Sequence, residues 1–140
     1  MLDRKFQAQQ MHQAQQKGVN NVRVYCHDAV EVLSQSIPDN SVDKVCIFFP
    51  DPWPKRRHHK RRLIQPPFVE TIHRCLVGGG TLHLATDWQD YATQMLQVLS
   101  SMPGLTNQAG AGKFAERSTI RPLTKFEKRG QGLGHAIWDL

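Results

Sequence analysis

No run of about 18 consecutive apolar residues occurs in these 140 residues, so nothing in the sequence reads as a membrane-spanning helix. The first residues, MLDRKFQAQQMHQAQQKG, are polar and Gln-rich and lack the apolar stretch of a secretory signal, which makes the cytoplasm the expected location. Cysteine is sparse. Cys26, Cys46 and Cys75 are odd in number, far apart and each in or beside an apolar run, which argues against a disulfide framework or a CxxC metal pair and for small core residues in a reducing compartment. No GxSxG, HExxH or Walker-type loop is present. Gly78-Gly79-Gly80 precedes a strand instead of joining strand to helix, so it reads as a turn and not as a phosphate cradle. Gly130 to Gly134, GQGLG, is too weak a glycine signal to name a cofactor. A hydrophobic fraction of 39% in a chain of this length suits one domain with a real core.

What is present in quantity is local positive charge. Lys and Arg number 18 against 12 acids, a net charge of +6, and the run Lys55 to Arg62, KRRHHKRR, supplies six of those cations. The remainder of the chain is balanced. One cationic patch on an otherwise neutral surface points to a docking site for a polyanion.

The order of elements predicts an α/β protein. A Gln-, Ala- and Lys-rich helix runs to Lys17 and stops at Gly18. Val22 to Tyr25 is β-branched and aromatic, a short strand. Ala29 to Ser36 reads as a helix ending before Pro38. Val42 to Phe49, VDKVCIFF, becomes continuously apolar, as a strand covered on both faces would. After the basic loop come a helix from about Pro67 to Leu76, a strand from Thr81 to Thr86 and a helix from Trp88 to Ser101, with Pro103-Gly104 closing it. Asn107 to Ser118, Gly- and Ala-rich, is expected to be a mobile loop, and HAIWDL a last strand. Alternating strands and helices imply a parallel, doubly wound sheet.

In such sheets ligands bind beyond the carboxyl ends of the strands, and three acids fall there: Asp28, Asp51 and Asp87. Each also suits a helix N-cap, and for Asp28, before AVEVL, that role and a functional one stay open side by side. Asp51 differs because it lies between two prolines in PDPWP, where no helix can start at once and the backbone is stiff. Trp53 next to it offers a face on which a base can stack, or else it covers the sheet end. The basic run then reads as a set of phosphate contacts around a docked base, against the plainer readings of a solvated loop or a nuclear localisation signal. Adjacent His58 and His59 lack carboxylate or thiolate partners nearby, so no metal is expected.

Three blocks, FFPDPWPKRRHHKRRL, LHLATDWQDYA and RPLTKFEKRGQGLGHAIWDL, together with CHDAVEVL, resemble the bacterial tRNA (guanine-N7)-methyltransferase family over about Asn21 to Leu140. The resemblance implies S-adenosylmethionine as methyl donor and the guanine of the tRNA variable loop as target. It implies cofactor contacts at Asp28 and Asp51, with Asp51 at the transfer centre. Lys55, Asp87 and the segment Thr124, Lys125, Phe126 and Glu127 would contact the substrate, with Glu127 expected to accept from the guanine N1 and N2 groups. Arg56, Arg57, Lys60, Arg61 and Arg62 would meet the tRNA backbone, and Trp53 would stack on a base.

The sequence departs from that family before Asn21, where the first strand, its Gly-rich turn and the second strand are lacking. The expectation is therefore a partial Rossmann-like class I S-adenosylmethionine-dependent methyltransferase fold, with residues 1–20 a helix and 21–140 the C-terminal part of one domain, a fragment or truncated form. Such a chain would bind the cofactor weakly alone, as a monomer or homodimer. A non-catalytic tRNA-binding module and a nuclear basic-signal protein are the competing readings.

Overall fold

The computed structural model describes residues 4–117, 121–134 and 136–140. Parts of three expectations therefore lie outside the described residues: Met1 to Asp3 of the first helix, Ser118 at the end of the expected loop, and His135 at the start of the last strand. The chain divides into two compact units, Met1–Ile37 and Pro38–Leu140.

In the first unit, α1 spans Arg4–Gln16 and ends at Gly18, whose φ of 66° is the left-handed conformation that stops a helix. Helix α2, Ala29–Ser36, begins at Asp28, whose Oδ1 accepts from the N–H groups of Val30 at 2.8 Å and Glu31 at 3.4 Å. Val22 to Tyr25 is not a strand, contrary to its composition. β-branched residues favour extended backbone, but a strand exists only where a neighbour completes its ladder. Here the Val24 carbonyl instead accepts from the Gln7 side chain at 3.1 Å.

The second unit holds a three-stranded sheet of β1 (Val42–Phe48), β2 (Leu76–Thr86) and β3 (Trp138–Asp139), in the order β1-β2-β3. Strands β1 and β2 are parallel, so the crossover between them carries the basic segment, a 3₁₀ turn at Arg56–Arg61, and helix α3, Pro66–Cys75. Two prolines open α3, where their missing N–H groups cost nothing, and Phe68, Val69, Ile72 and Cys75 form its buried face. Helix α4, Gln89–Ser101, buries Tyr91, Ala92 and Met95. With Leu84 and Ala85 of β2 these side chains make the core. Helix α5, Lys125–Gly132, and β3 complete the unit, β3 pairing antiparallel with the end of β2.

Several expectations change. The glycine triplet is not a separate turn but lies inside β2. Pairing steps from Val42↔Leu76 to Lys44↔Thr81, so Val77 to Gly80 bulge opposite Asp43, with Gly79 at φ 78°. Strand β1 is only partly covered because it forms the edge of the described sheet, and Cys46 on it is exposed, as is Cys26; only Cys75 joins the core. The loop after Asn107 is tied down. The Asn107 side chain accepts from Ala109 N–H and donates to the Lys113 carbonyl, both at 2.9 Å, and Ala115 bridges to Asp139. Helix α5 was not foreseen. Thr124 and Glu127 form the T-x-x-E pattern of a helix start, with Thr124 Oγ1 accepting from Glu127 N–H at 3.1 Å, and that pattern was the signal available.

Candidate functional site

The carboxyl ends of the parallel strands β1 and β2 lie at one edge of the sheet, and Asp51 and Asp87 follow them there. Beyond β1 the ladder extends one bond, Phe49 N–H to the Ala85 carbonyl at 2.8 Å, and the backbone then turns sharply. Phe49 has φ 53° and Trp53 φ 42°, a left-handed conformation that bulky residues adopt only when their surroundings force it. Asp51 lies between these two strained residues. It is exposed, and its Oδ1 accepts from Trp53 N–H at 3.0 Å, closing the turn on itself.

Trp53 is half-buried and not the open platform expected. The Arg61 guanidinium lies over its ring at 5.2 Å and His58 meets it edge-on at 5.8 Å. Lys55, Arg56, Arg57, Lys60 and Arg61 are exposed, as a phosphate-binding surface requires. Arg62 breaks the pattern. Its side chain is 2% exposed, paired with Asp90 at 2.7 Å and Gln94 at 2.6 Å, and its Nε donates to the Pro52 carbonyl at 2.8 Å. Arg62, expected on the tRNA backbone, is thus already paired inside the fold, unlike the exposed cations before it. Sequence shows a run of cations, while helix α4 removes the last one by offering a carboxylate and an amide one turn apart.

Arg121 is a second buried arginine near this turn. Arg121 lies 5.5 Å from the ring centre of Phe48 and 5.7 Å from that of Phe49. It donates to both oxygens of Glu127, at 2.6 and 3.0 Å, and to both oxygens of Asp139, at 3.0 and 2.9 Å. Arg117 adds a bond to Glu127 Oε1 at 3.1 Å, and His83 pairs with Asp139 Oδ2 at 2.9 Å. Burial alone would raise the Glu127 pKa and lower that of Arg121. Their mutual hydrogen bonds and charge attraction outweigh it, holding Glu127 below the ordinary carboxylate value and Arg121 above its own. Glu127, expected to accept from a base edge, has both oxygens engaged by arginines and almost no exposure. The motif was legible; its partners were not, because Arg117 and Arg121 precede it in a stretch with no periodicity.

The rest of the segment stays near the surface. Phe126 is 55% exposed yet packs at 5.2 Å on Phe49, Lys125 is exposed, and Thr124 is half-buried by its capping role. Asp87 is half-buried at the end of β2, where Trp88 N–H donates to Thr86 Oγ1 at 3.2 Å and begins α4. The second unit thus gathers Asp51, Trp53, the basic segment, Asp87 and Thr124 to Glu127 around the ends of β1 and β2. Asp28, in the first unit, uses one oxygen for both cap bonds and is otherwise exposed. Among the described residues no cluster of three or more His, Cys, Asp and Glu could hold a metal ion, and no helix is long and apolar enough to cross a membrane.

The second unit thus sets acids after the carboxyl ends of its two parallel strands, beside a surface of exposed cations. The chain belongs to the family described as "Putative methyltransferase", whose model matches residues 2–140. Within it, the chain is similar to curated tRNA (guanine-N(7)-)-methyltransferases. It is 58% identical to that of Shewanella amazonensis over 123 residues, covering 88% of this chain and 52% of the relative. Identity is 55% with the Klebsiella pneumoniae protein and 58% with that of Sodalis glossinidius, each over 127 residues, 91% of this chain and 53% of the relative. The chain spans about half the length of the curated relatives it matches.

Proposed function

We propose that this chain supplies the RNA-facing surface and the transfer centre for S-adenosylmethionine-dependent methylation of guanine N7 in the variable loop of tRNA. One observation carries the reading: Asp51 is presented outward on a turn strained at both ends, at the carboxyl edge of the parallel strands and directly before the exposed cations Lys55, Arg56, Arg57, Lys60 and Arg61. The relatives' printed names support the reaction and the substrate. The finer fold reading is a class I methyltransferase sheet without its first two strands in residues 21–140.

Guanine N7 carries an in-plane lone pair, so attack on a methyl group requires no proton to be removed first. Alignment is the main task, and a rigid turn suits it. S-adenosylmethionine, when bound, supplies an electrophilic methyl on a sulfonium. In the second unit Asp51 fits such a group as an exposed carboxylate with acceptor capacity beyond its turn bond, and Asp28, taken by itself in the first unit, is likewise an exposed carboxylate with an oxygen beyond its cap bonds. As the methyl moves, positive charge passes to the purine ring, and the fixed negative charge of Asp51 stabilises it throughout. Arg56, Arg57, Lys60 and Arg61 hold phosphates, Lys55 and Asp87 contact the nucleotide, and Thr124, Lys125 and Phe126 wall the site while Glu127 anchors them. Trp53 stacks on a base once Arg61 turns to a phosphate.

The test is transfer of labelled methyl to tRNA by the chain supplied with the N-terminal half of a relative. Transfer that depends on Asp51 supports the proposal. Tight tRNA binding without transfer, under any supplementation, would instead favour a non-catalytic tRNA-binding module. Tight binding of S-adenosylmethionine to the 140 residues in a calorimetric titration would overturn the expectation that the chain alone binds the cofactor weakly or not at all.

A further inference from the structure

One peptide unit in the Asp51 turn is held at both of its polar atoms. The Pro52 carbonyl accepts from Arg62 Nε at 2.8 Å, and the N–H on the same peptide plane, that of Trp53, donates to Asp51 Oδ1 at 3.0 Å. A peptide is planar, so fixing its oxygen fixes the direction of its N–H and hence the oxygen that takes that hydrogen bond. Arg62 is itself immobile. Its two terminal nitrogens reach Gln94 Oε1 at 2.6 Å and Asp90 Oδ2 at 2.7 Å, one turn apart on α4, and its guanidinium lies 4.8 Å from the centre of the Tyr91 ring. All three guanidinium nitrogens have acceptors, and the side chain is 2% exposed.

We propose that Arg62 is a positioning residue that transmits the placement of helix α4 through the Pro52–Trp53 peptide to the Asp51 carboxylate, and that it takes no part in binding phosphate. The proposal rests on Asp51 being the transfer centre as proposed above, but its geometric content does not. A phosphate contact by Arg62 requires breaking an ion pair and two hydrogen bonds and exposing a buried side chain. Arg57, two residues into the same run of charge, is already in water. The left-handed φ of 42° at Trp53 also has a cause in this anchor, since the peptide preceding it is pinned at both ends.

The experiment uses the 140-residue chain labelled with 5-fluorotryptophan, which gives one fluorine signal each for Trp53, Trp88 and Trp138. In Arg62→Lys the Trp53 signal is expected to shift or broaden while that of Trp138 stays. Asp90→Asn and Gln94→Leu, which weaken the same anchor from α4, should move the Trp53 signal the same way by less, and they carry the test if Arg62→Lys does not fold. Binding of bulk tRNA is measured alongside as a function of salt. Each phosphate contact contributes about 0.9 to the slope of log affinity against log salt in a duplex and about 0.7 in a single strand. Arg57→Ala should lower the slope by about one contact, and Arg62→Lys should leave it unchanged.

A fall in slope for Arg62→Lys equal to that produced by removing Arg57, measured with Arg62→Gln as well because lysine keeps the charge, would overturn the proposal. So would a Trp53 signal unmoved in every folded variant. If the unaltered chain binds no tRNA, the proposed function fails, while the Trp53 signals still decide whether Arg62 positions the turn.

Discussion

Arg121 and Glu127 are joined by two hydrogen bonds, 2.6 and 3.0 Å long, between side chains that are 1% and 0% exposed. A buried pair contributes little beyond what two apolar residues would, but removing one member leaves an uncompensated charge. Glu127→Ala is therefore expected to cost about 3–5 kcal/mol in denaturant unfolding, against well under 1 kcal/mol for Lys128→Ala on the exposed side of α5.

The same pair gives a pH dependence. Arginine neighbours lower the Glu127 pKa from its ordinary 4.5, so the stability this adds is fully present above that value and is lost as pH falls through the lowered folded value. Acid titration of unfolding free energy should show a steeper decline below about pH 4.5 in the unaltered chain than in Glu127→Gln.

Tyr91 is fully buried, and its hydroxyl accepts from the Ile64 N–H at 3.0 Å, fastening the end of the basic segment to α4. Tyr91→Phe keeps the ring and orphans that N–H, so a loss of about 1–3 kcal/mol is expected in urea unfolding. Burial also raises the Tyr91 pKa above 10, so the stability it adds is present below that pH and disappears as pH rises through the raised value. The phenylalanine variant should lack that alkaline decline.

Gly80 sits in the bulge of β2, where an added Cβ would lie 2.9 Å from the Val77 carbonyl oxygen and 3.1 Å from that of Asp43. Both atoms are backbone and cannot turn aside. Gly80→Ala should destabilise the sheet by about 1–3 kcal/mol, read as a lower midpoint of thermal unfolding.

Asp51 combines a structural bond with a charge, and two variants separate them. Asp51→Asn keeps an acceptor for Trp53 N–H and should preserve the Trp53 signal, while methyl transfer by the supplemented chain falls by about 10²-fold. Asp51→Ala should lose both. Equal transfer rates for Asp51→Asn and the unaltered chain would reject the electrostatic role.

Local chemistry was legible wherever one segment settles its own conformation. Pro66-Pro67 opening α3, Asp28 capping α2 and Gly18 stopping α1 were readable because each acts on residues within one turn of itself. The run from Val22 to Tyr25 misled because strand propensity describes what a residue tolerates, whereas a strand also needs a partner. The pairing of Arg62 and Glu127 was hidden for a related reason. Charge in a sequence looks available, and only the fold shows which charges are already paired.

The sequence by itself determined helices α1 to α4 and strand β1, the acids following β1 and β2, the concentration of cations in one stretch and the family those blocks resemble. Each of these depends on the identity and near spacing of residues. Tertiary structure alone decided that the Asp51 turn is strained at Phe49 and Trp53, that Arg61 already lies over Trp53, and that Arg62 and Arg121 are buried. The burial of the two arginines depends on contacts 28 residues apart for Arg62 with Asp90 and 18 for Arg121 with Asp139, which no local pattern encodes. An arginine becomes a phosphate contact or a buried anchor according to whether folding brings it an acceptor before solvent or substrate does.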